Sequence, residues 1–205
     1  MKNKVVIGID QSYKDSGITI SINGKVKCVT DCYTDNLKNN TEKRITLKNK
    51  LEQIINYIIR KGYNPINPDT EIVCLIERIR LKSQGFINID YIKGIGALNT
   101  LIVDKMLQYG IETYSVDTRA WKSSIVGTSK ERKNKHGIDP KKYPTILWCI
   151  RNGYEKQISQ PAKPKQKKGV IIKGKDRIIY NDNKADSICI SLYGFVPDGK
   201  LEREH

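Results

Sequence analysis

Val5-Val6-Ile7-Gly8-Ile9 is an apolar run that climbs to Asp10 and breaks at Gln11-Ser12. Such a run, punctuated by polar residues, predicts a buried strand with an acid at its exit. Ser16-Gly17-Ile18-Thr19-Ile20-Ser21-Ile22 alternates apolar and polar residues, which predicts a second strand pairing back on the first. Asn23-Gly24 is a hairpin signal and leads into a third strand, Lys25 to Tyr33. Ile45, Leu47, Leu51, Ile54, Ile55, Ile58 and Ile59 then recur at helical spacing. Thr41 is the expected cap of that helix, with Arg44 where a capping box wants Glu, and Gly62 and Pro65 end it. Ile72-Val73-Cys74-Leu75-Ile76 is another apolar run, again closing on an acid, Glu77.

The helical period returns from Ile89 to Tyr109, where Gly94 and Gly96 leave room for close helix contact. Gly110 stops it, and Ile111 to Val116 reads as a short strand. Three strands, helix, strand, helix, strand predicts an α/β sheet with an antiparallel meander at one side. Past Gly127 the pattern weakens into a charged run over 130–136, a short helix from Pro144 to Gly153, a lysine-rich loop from Pro161 to Lys168, and a hairpin over 170–180. Asn181 or Asp182 caps a last helix ending at Gly194, and the polar tail from Pro197 is expected to be disordered.

Length changes the picture little: 205 residues suit one domain with a sizeable core. Charge changes it more. There are 37 Lys and Arg against 22 Asp and Glu, a net +15 with a pI near 9.5. That balance points to a polyanion, nucleic acid before an anionic membrane surface. No apolar run reaches the roughly 18 residues of a membrane span, and the N-terminus enters a strand directly, unlike a signal peptide. Cys28, Cys32, Cys74, Cys149 and Cys189 are odd in number, contain no Cys-x-x-Cys pair, and have no histidine at ligand spacing. They suggest free thiols in a reducing, cytoplasmic setting, that of a bacterium or an infected host.

Against this basic background the acids stand out. Asp10 and Glu77 end strands at one edge of the sheet if those strands are parallel. Asp182 and Asp186 are four apart and share one helix face. Clustered carboxylates repel each other unless a cation neutralises them, and hard oxygen donors select Mg²⁺ or Mn²⁺. A pair of such ions suits phosphodiester cleavage.

Ile7-Gly8-Ile9-Asp10-Gln11-Ser12, Leu75-Ile76-Glu77-Arg78 and Lys184-Ala185-Asp186-Ser187-Ile188 resemble the motifs of the RuvC-like Holliday-junction resolvases of the ribonuclease H-like superfamily. Gly94-Ile95-Gly96-Ala97 and Trp121 to Gly127 are similar to the family's central helix and basic turn. The resemblance covers about 4–130 and 181–194 and leaves 131–180 as an insertion of the kind seen in phage or viral members. It implies a mixed five-stranded sheet flanked by helices, and a Mg²⁺-dependent endonuclease using two ions on branched DNA as a homodimer. The helix over 89–109 is then the expected dimer interface. It makes Asp10, Glu77 and Asp186 metal-binding and catalytic, and places Lys122 and Lys130 beside the scissile phosphate. Arg78, Arg80 and Lys82, which follow Glu77, are the further candidates for phosphate contact. One departure stands: the family's fourth acid falls on Asn183. Asp182 replaces it from nearly the same helix face, with the Asn183 amide oxygen as the alternative. The rival readings are a non-catalytic DNA-binding protein on the same fold and an actin-like phosphate-binding ATPase, which would need a second glycine-rich motif.

Overall fold

The computed structural model describes residues 2–37, 39–79, 89–127, 138, 143–162, 170–173 and 176–204. Arg80, Lys82, Lys130, the charged run and most of the lysine-rich loop lie outside these residues.

Strands β1 (Asn3–Asp10), β2 (Asp15–Ile22) and β3 (Lys25–Tyr33) form the expected meander. Its second hairpin, from β2 to β3, turns on Asn23 (φ 49°) and Gly24 (φ 75°), both left-handed, which is why Asn-Gly serves there. Helix α1 (Asn40–Arg60) follows. Its cap is Asn39, not Thr41: the Asn39 side-chain oxygen accepts the Glu42 amide at 2.8 Å, and the Glu42 carboxylate accepts from the Asn39 amide group at 3.1 Å. Starting two residues earlier puts Glu42 at the third helical position, where a capping box wants its acid and where the Thr41 reading had Arg44.

Strand β4 (Thr70–Glu77), helix α2 (Ile89–Leu107) and strand β5 (Glu112–Val116) complete the alternation. β1, β4 and β5 are parallel neighbours. The sheet has six strands rather than five, in the order β3-β2-β1-β4-β5-β9. The tail expected to be disordered supplies the sixth, β9 (Glu202–Arg203), antiparallel to β5. It is held by an Arg203–Glu112 ion pair at 2.7 Å, an Arg78–Glu202 ion pair, and the Glu204 amide on the Thr113 carbonyl at 2.9 Å.

After β5 come a short helix α3 (Thr118–Trp121) and a π-helical turn, Lys122–Val126. Helices α4 (Pro144–Arg151) and α5 (Glu155–Ile158) lead to a small sheet of β6 (Ser159–Pro161), β7 (Val170–Lys173) and β8 (Asp176–Tyr180), ordered β6-β8-β7. The predicted hairpin thus gains a third strand. Helix α6 (Asp182–Tyr193) is capped by Asn181, whose side chain accepts the Lys184 amide at 2.9 Å.

Strand residues alternate between two faces. Ile7, Ile9, Ile18, Ile20, Cys74 and Ile76 face α1 and α2, which bury Leu47, Leu51, Ile55, Ile58, Leu98 and Ile102 against them. Gly94 of α2 serves the β1–β2 loop rather than another helix, because a Cβ there would lie 2.3 Å from the Tyr13 ring. On the other face Val6, Val73 and Leu75 meet Cys189, Ile190 and Tyr193 of α6. There α6 comes down almost onto the sheet backbone. A Cβ on Gly8 would lie 2.4 Å from the Ser191 nitrogen, and one on Gly17 would lie 2.0 Å from the Asn183 carbonyl oxygen. Two buried hydroxyl pairs, Thr19–Ser187 and Ser21–Ser191, bridge the same gap at 2.8 Å each.

The described part of 131–180 is packed into the molecule. Ile146, Leu147 and Cys149 of α4 lie in one cluster with Ala185 and Ile188 of α6. All five cysteines are free thiols, and Cys74, wholly enclosed, is pushed up to about 12 by burial. Among the described residues no helix is long and apolar enough to cross a membrane.

Candidate metal centre

Asp10 lies an even number of residues from Val6 and Gly8, and Glu77 an even number from Val73 and Leu75, so both acids fall on the α6 side of the sheet. β1 and β4 are parallel neighbours, which sets both carboxylates at the same end. α6 crosses that face and brings Asp182 and Asp186 to it. The four acids share one electrostatic field. Burial, then Asp186, Glu77 and Asp182, push the Asp10 carboxyl well above its usual range, against the pull of Lys122. Burial likewise pushes Asp186 up to about 6, with Glu77 and Asp182 adding to the rise; Lys122 and a hydrogen bond from Thr145 oppose it. The Lys122 ammonium stands 3.5 Å from Asp186 Oδ2, and Asp186 Oδ1 is buried with no hydrogen-bond partner.

Glu77 is held on two sides. The Thr118 hydroxyl donates to its Oε1. The Gln11 amide grips its backbone, accepting the Glu77 N–H at 3.1 Å and donating to the Glu77 carbonyl. A cleft of about 270 Å³ opens beside these groups, lined by Asp10, Gln11, Glu77, Arg78, Ile95 and Thr118.

Among the described residues no three acidic, cysteine or histidine side chains close into a ready cage around one point. The donor chemistry nonetheless fits a hard divalent cation. Every donor is a carboxylate oxygen, one buried oxygen is orphaned, and the repulsion on Asp10 is what a cation relieves.

The chain as a whole is similar to solved structures. Thermus thermophilus RuvC matches with a TM-score of 0.55 and 13% identity, covering 98% of this chain and 99% of that one. The structure described as T. thermophilus RuvC in complex with Holliday junction substrate matches with the same score and identity, covering 93% of each chain. The fold is RuvC-like. No family model matches the chain, and no curated protein does.

Within this RuvC-like fold the structure brings Asp10, Glu77, Asp182, Asp186 and Lys122 to one place. Asn183 is turned elsewhere: its side-chain nitrogen donates to the Asp15 carbonyl, while Asp182 stays exposed and acts on both Asp10 and Asp186. Arg78 borders the cleft, with its guanidinium paired to Glu202. Gln11, Thr118 and Thr145 were not anticipated. They are neutral polar residues at element ends, and only their tertiary partners distinguish them from ordinary turn residues.

Proposed function

We propose that the protein is a divalent-metal-dependent endonuclease that cuts branched DNA, with the four-way junction as its foremost substrate. The observation that carries this reading is the gathering of four repelling acids, two from strand ends and two from α6, on a chain of net charge +15. A module that only bound DNA would have no use for that repulsion, which both weakens the fold and repels phosphate. Asp10, Glu77, Asp186 and Asp182 are the proposed ligands of Mg²⁺, for which Mn²⁺ can substitute, in a site for two ions. Asp182 is preferred to Asn183 because the Asn183 amide is engaged with Asp15. When bound, the ions would lower the pKa of a water and stabilise the leaving oxygen.

The chain's own groups do the rest. Lys122 sits where it can hold the negative charge that develops on a phosphate beside Asp186. Gln11 ties the end of β4 to the end of β1, which fixes the spacing of Glu77 from Asp10. Arg78, Arg80, Lys82 and Lys130 are proposed phosphate contacts, which position the duplex without reading its sequence. Cutting two strands of a junction calls for a homodimer, and α2 is its proposed interface. The resemblance of the motifs around Asp10, Glu77 and Asp186 supports the same reading, and a single catalytic domain working in the cytoplasm is part of the proposal.

Asp10→Asn tests it. The amide keeps the shape and removes one charge, so cleavage of a labelled junction in Mg²⁺ should fall at least about a hundredfold. Junction affinity without metal should persist, because lysines and arginines spread over the surface supply it. The sign of the stability change provides a control. A carboxyl raised in the folded state stabilises while protonated and loses that advantage as pH rises through its folded pKa. Above the ordinary carboxylate range Asp10 therefore costs the metal-free fold stability, and at neutral pH Asp10→Asn should melt at the same or a higher temperature. A variant that cuts at near wild-type rate would sink the reading.

A further inference from the structure

Two hydroxyls engage two of the acids. Thr118 follows the end of β5 and donates to Glu77 Oε1. Thr145 lies in the first turn of α4 and is only 3% exposed, and its hydroxyl bonds the Asp186 carboxylate. Asp186 Oδ1 is buried without a hydrogen-bond partner, and Lys122 approaches Oδ2. α4 is no loose appendage: Ile146, Leu147 and Cys149 clamp it to α6, and the Cys149 thiol donates to the Ala185 carbonyl at 3.8 Å, one residue before Asp186.

A carboxylate turns about its last side-chain bond. One hydroxyl on one oxygen fixes that rotation and leaves the second oxygen to meet a cation. We propose that Thr118 and Thr145 are positioning residues, whose hydroxyls set Glu77 and Asp186 with one oxygen each turned to a divalent ion. Segment 131–180 thereby contributes to the site through α4. This rests on the reading that the acids bind metal. Partners of this kind, which act on the ligand rather than on the ion, typically change metal affinity or activity 10- to 100-fold.

The test compares Thr118→Val and Thr145→Val, which keep the shape and remove only the hydroxyl, with Thr118→Ser and Thr145→Ser, which keep the hydroxyl. Mn²⁺ binding to the full chain without DNA is followed by the electron paramagnetic resonance of free Mn²⁺. Junction cleavage is followed against Mg²⁺ concentration. Each valine variant should bind Mn²⁺ about tenfold more weakly and need correspondingly more Mg²⁺ for half-maximal cleavage. Each serine variant should stay near wild type. If Thr145→Val does not fold, Thr145→Ala takes its place, and Thr118→Val carries the same measurement at the less buried position. Valine variants with wild-type Mn²⁺ affinity, or serine variants that fall as far as valine, overturn the proposal. A wild type that binds Mn²⁺ but cuts no branched DNA defeats the nuclease reading alone, and the threonines still stand or fall on the Mn²⁺ values. A wild type that binds no Mn²⁺ overturns both.

Discussion

The two faces of the central sheet are packed by different means. Toward α1 and α2 the contact is a thick layer of isoleucine and leucine, with Ile7, Ile9, Ile18 and Ile20 set against Leu51, Ile55 and Ile58. Toward α6 the strands present Gly8, Gly17, Thr19 and Ser21, and the helix answers with Ser187 and Ser191. Large side chains hold two layers apart and stabilise in proportion to the area they bury. Small ones bring backbones together and fix distance and rotation instead. The first face accounts for much of the stability. The second delivers Asp182 and Asp186 to the ends of β1 and β4, where small displacements decide whether charges cooperate.

The sharpest way to break this comparison is a cavity on the aliphatic face. Ile55→Ala should cost about 2–5 kcal/mol and lower the urea midpoint, while the molecules that remain folded cut junctions at an unchanged rate. A fall in activity per folded molecule would show that the faces are not separable. Next in size is Gly17→Ala, whose new methyl meets the Asn183 carbonyl, backbone that cannot rotate away. About 1–3 kcal/mol of stability should go. Activity per folded molecule should fall at least tenfold, because a displacement of roughly 1 Å can cost a hundredfold in rate. Stability loss without activity loss would remove α6 from its role as a positioning element.

The smallest effects divide the hydroxyl pairs. Ser187 donates to the Lys184 carbonyl at 2.9 Å, so Thr19 is the donor of the Thr19–Ser187 bond. Ser187→Ala leaves the buried Thr19 hydroxyl stranded and should cost about 1–3 kcal/mol in denaturant unfolding. Thr19→Val leaves Ser187 still bonded to Lys184 and should cost about 1 kcal/mol or less. The reverse order would mean that the hydroxyls point the other way.

What could be read from the chain alone follows the same division. Leu47, Leu51, Ile54, Ile55 and Ile58 announce α1 because burial on a helix repeats every turn. Asp10 and Glu77 were visible because a charge at the end of an apolar run is conspicuous. Asp182 and Asp186 were visible because four residues make one helical turn. The cap of α1 was misplaced because Asn39 and Thr41 are both able caps, and only the bond from the Glu42 amide decides between them. β9 was missed because two residues are too short for any pattern, and ion pairs to Glu112 and Arg78 hold it. Gln11, Thr118 and Thr145 carry neither periodicity nor charge. α6 was foreseen as a helix, but its closeness to the sheet was not, since a glycine in a strand does not say which backbone approaches it.

The route of the chain has a further consequence for timing during synthesis. Asp10 and Glu77 emerge early, on neighbouring strands, while Asp182 and Asp186 wait on α6, which follows the whole of α2, β5 and α4. Contacts between segments so distant in sequence form late, because the intervening chain must first be closed into a loop. Until α6 docks, Gly8 and Gly17 are an open groove, and the acids of β1 and β4 have lost half of their partners. A nascent chain still on the ribosome, with its basic surface already made and RNA all around it, therefore carries no assembled acidic centre.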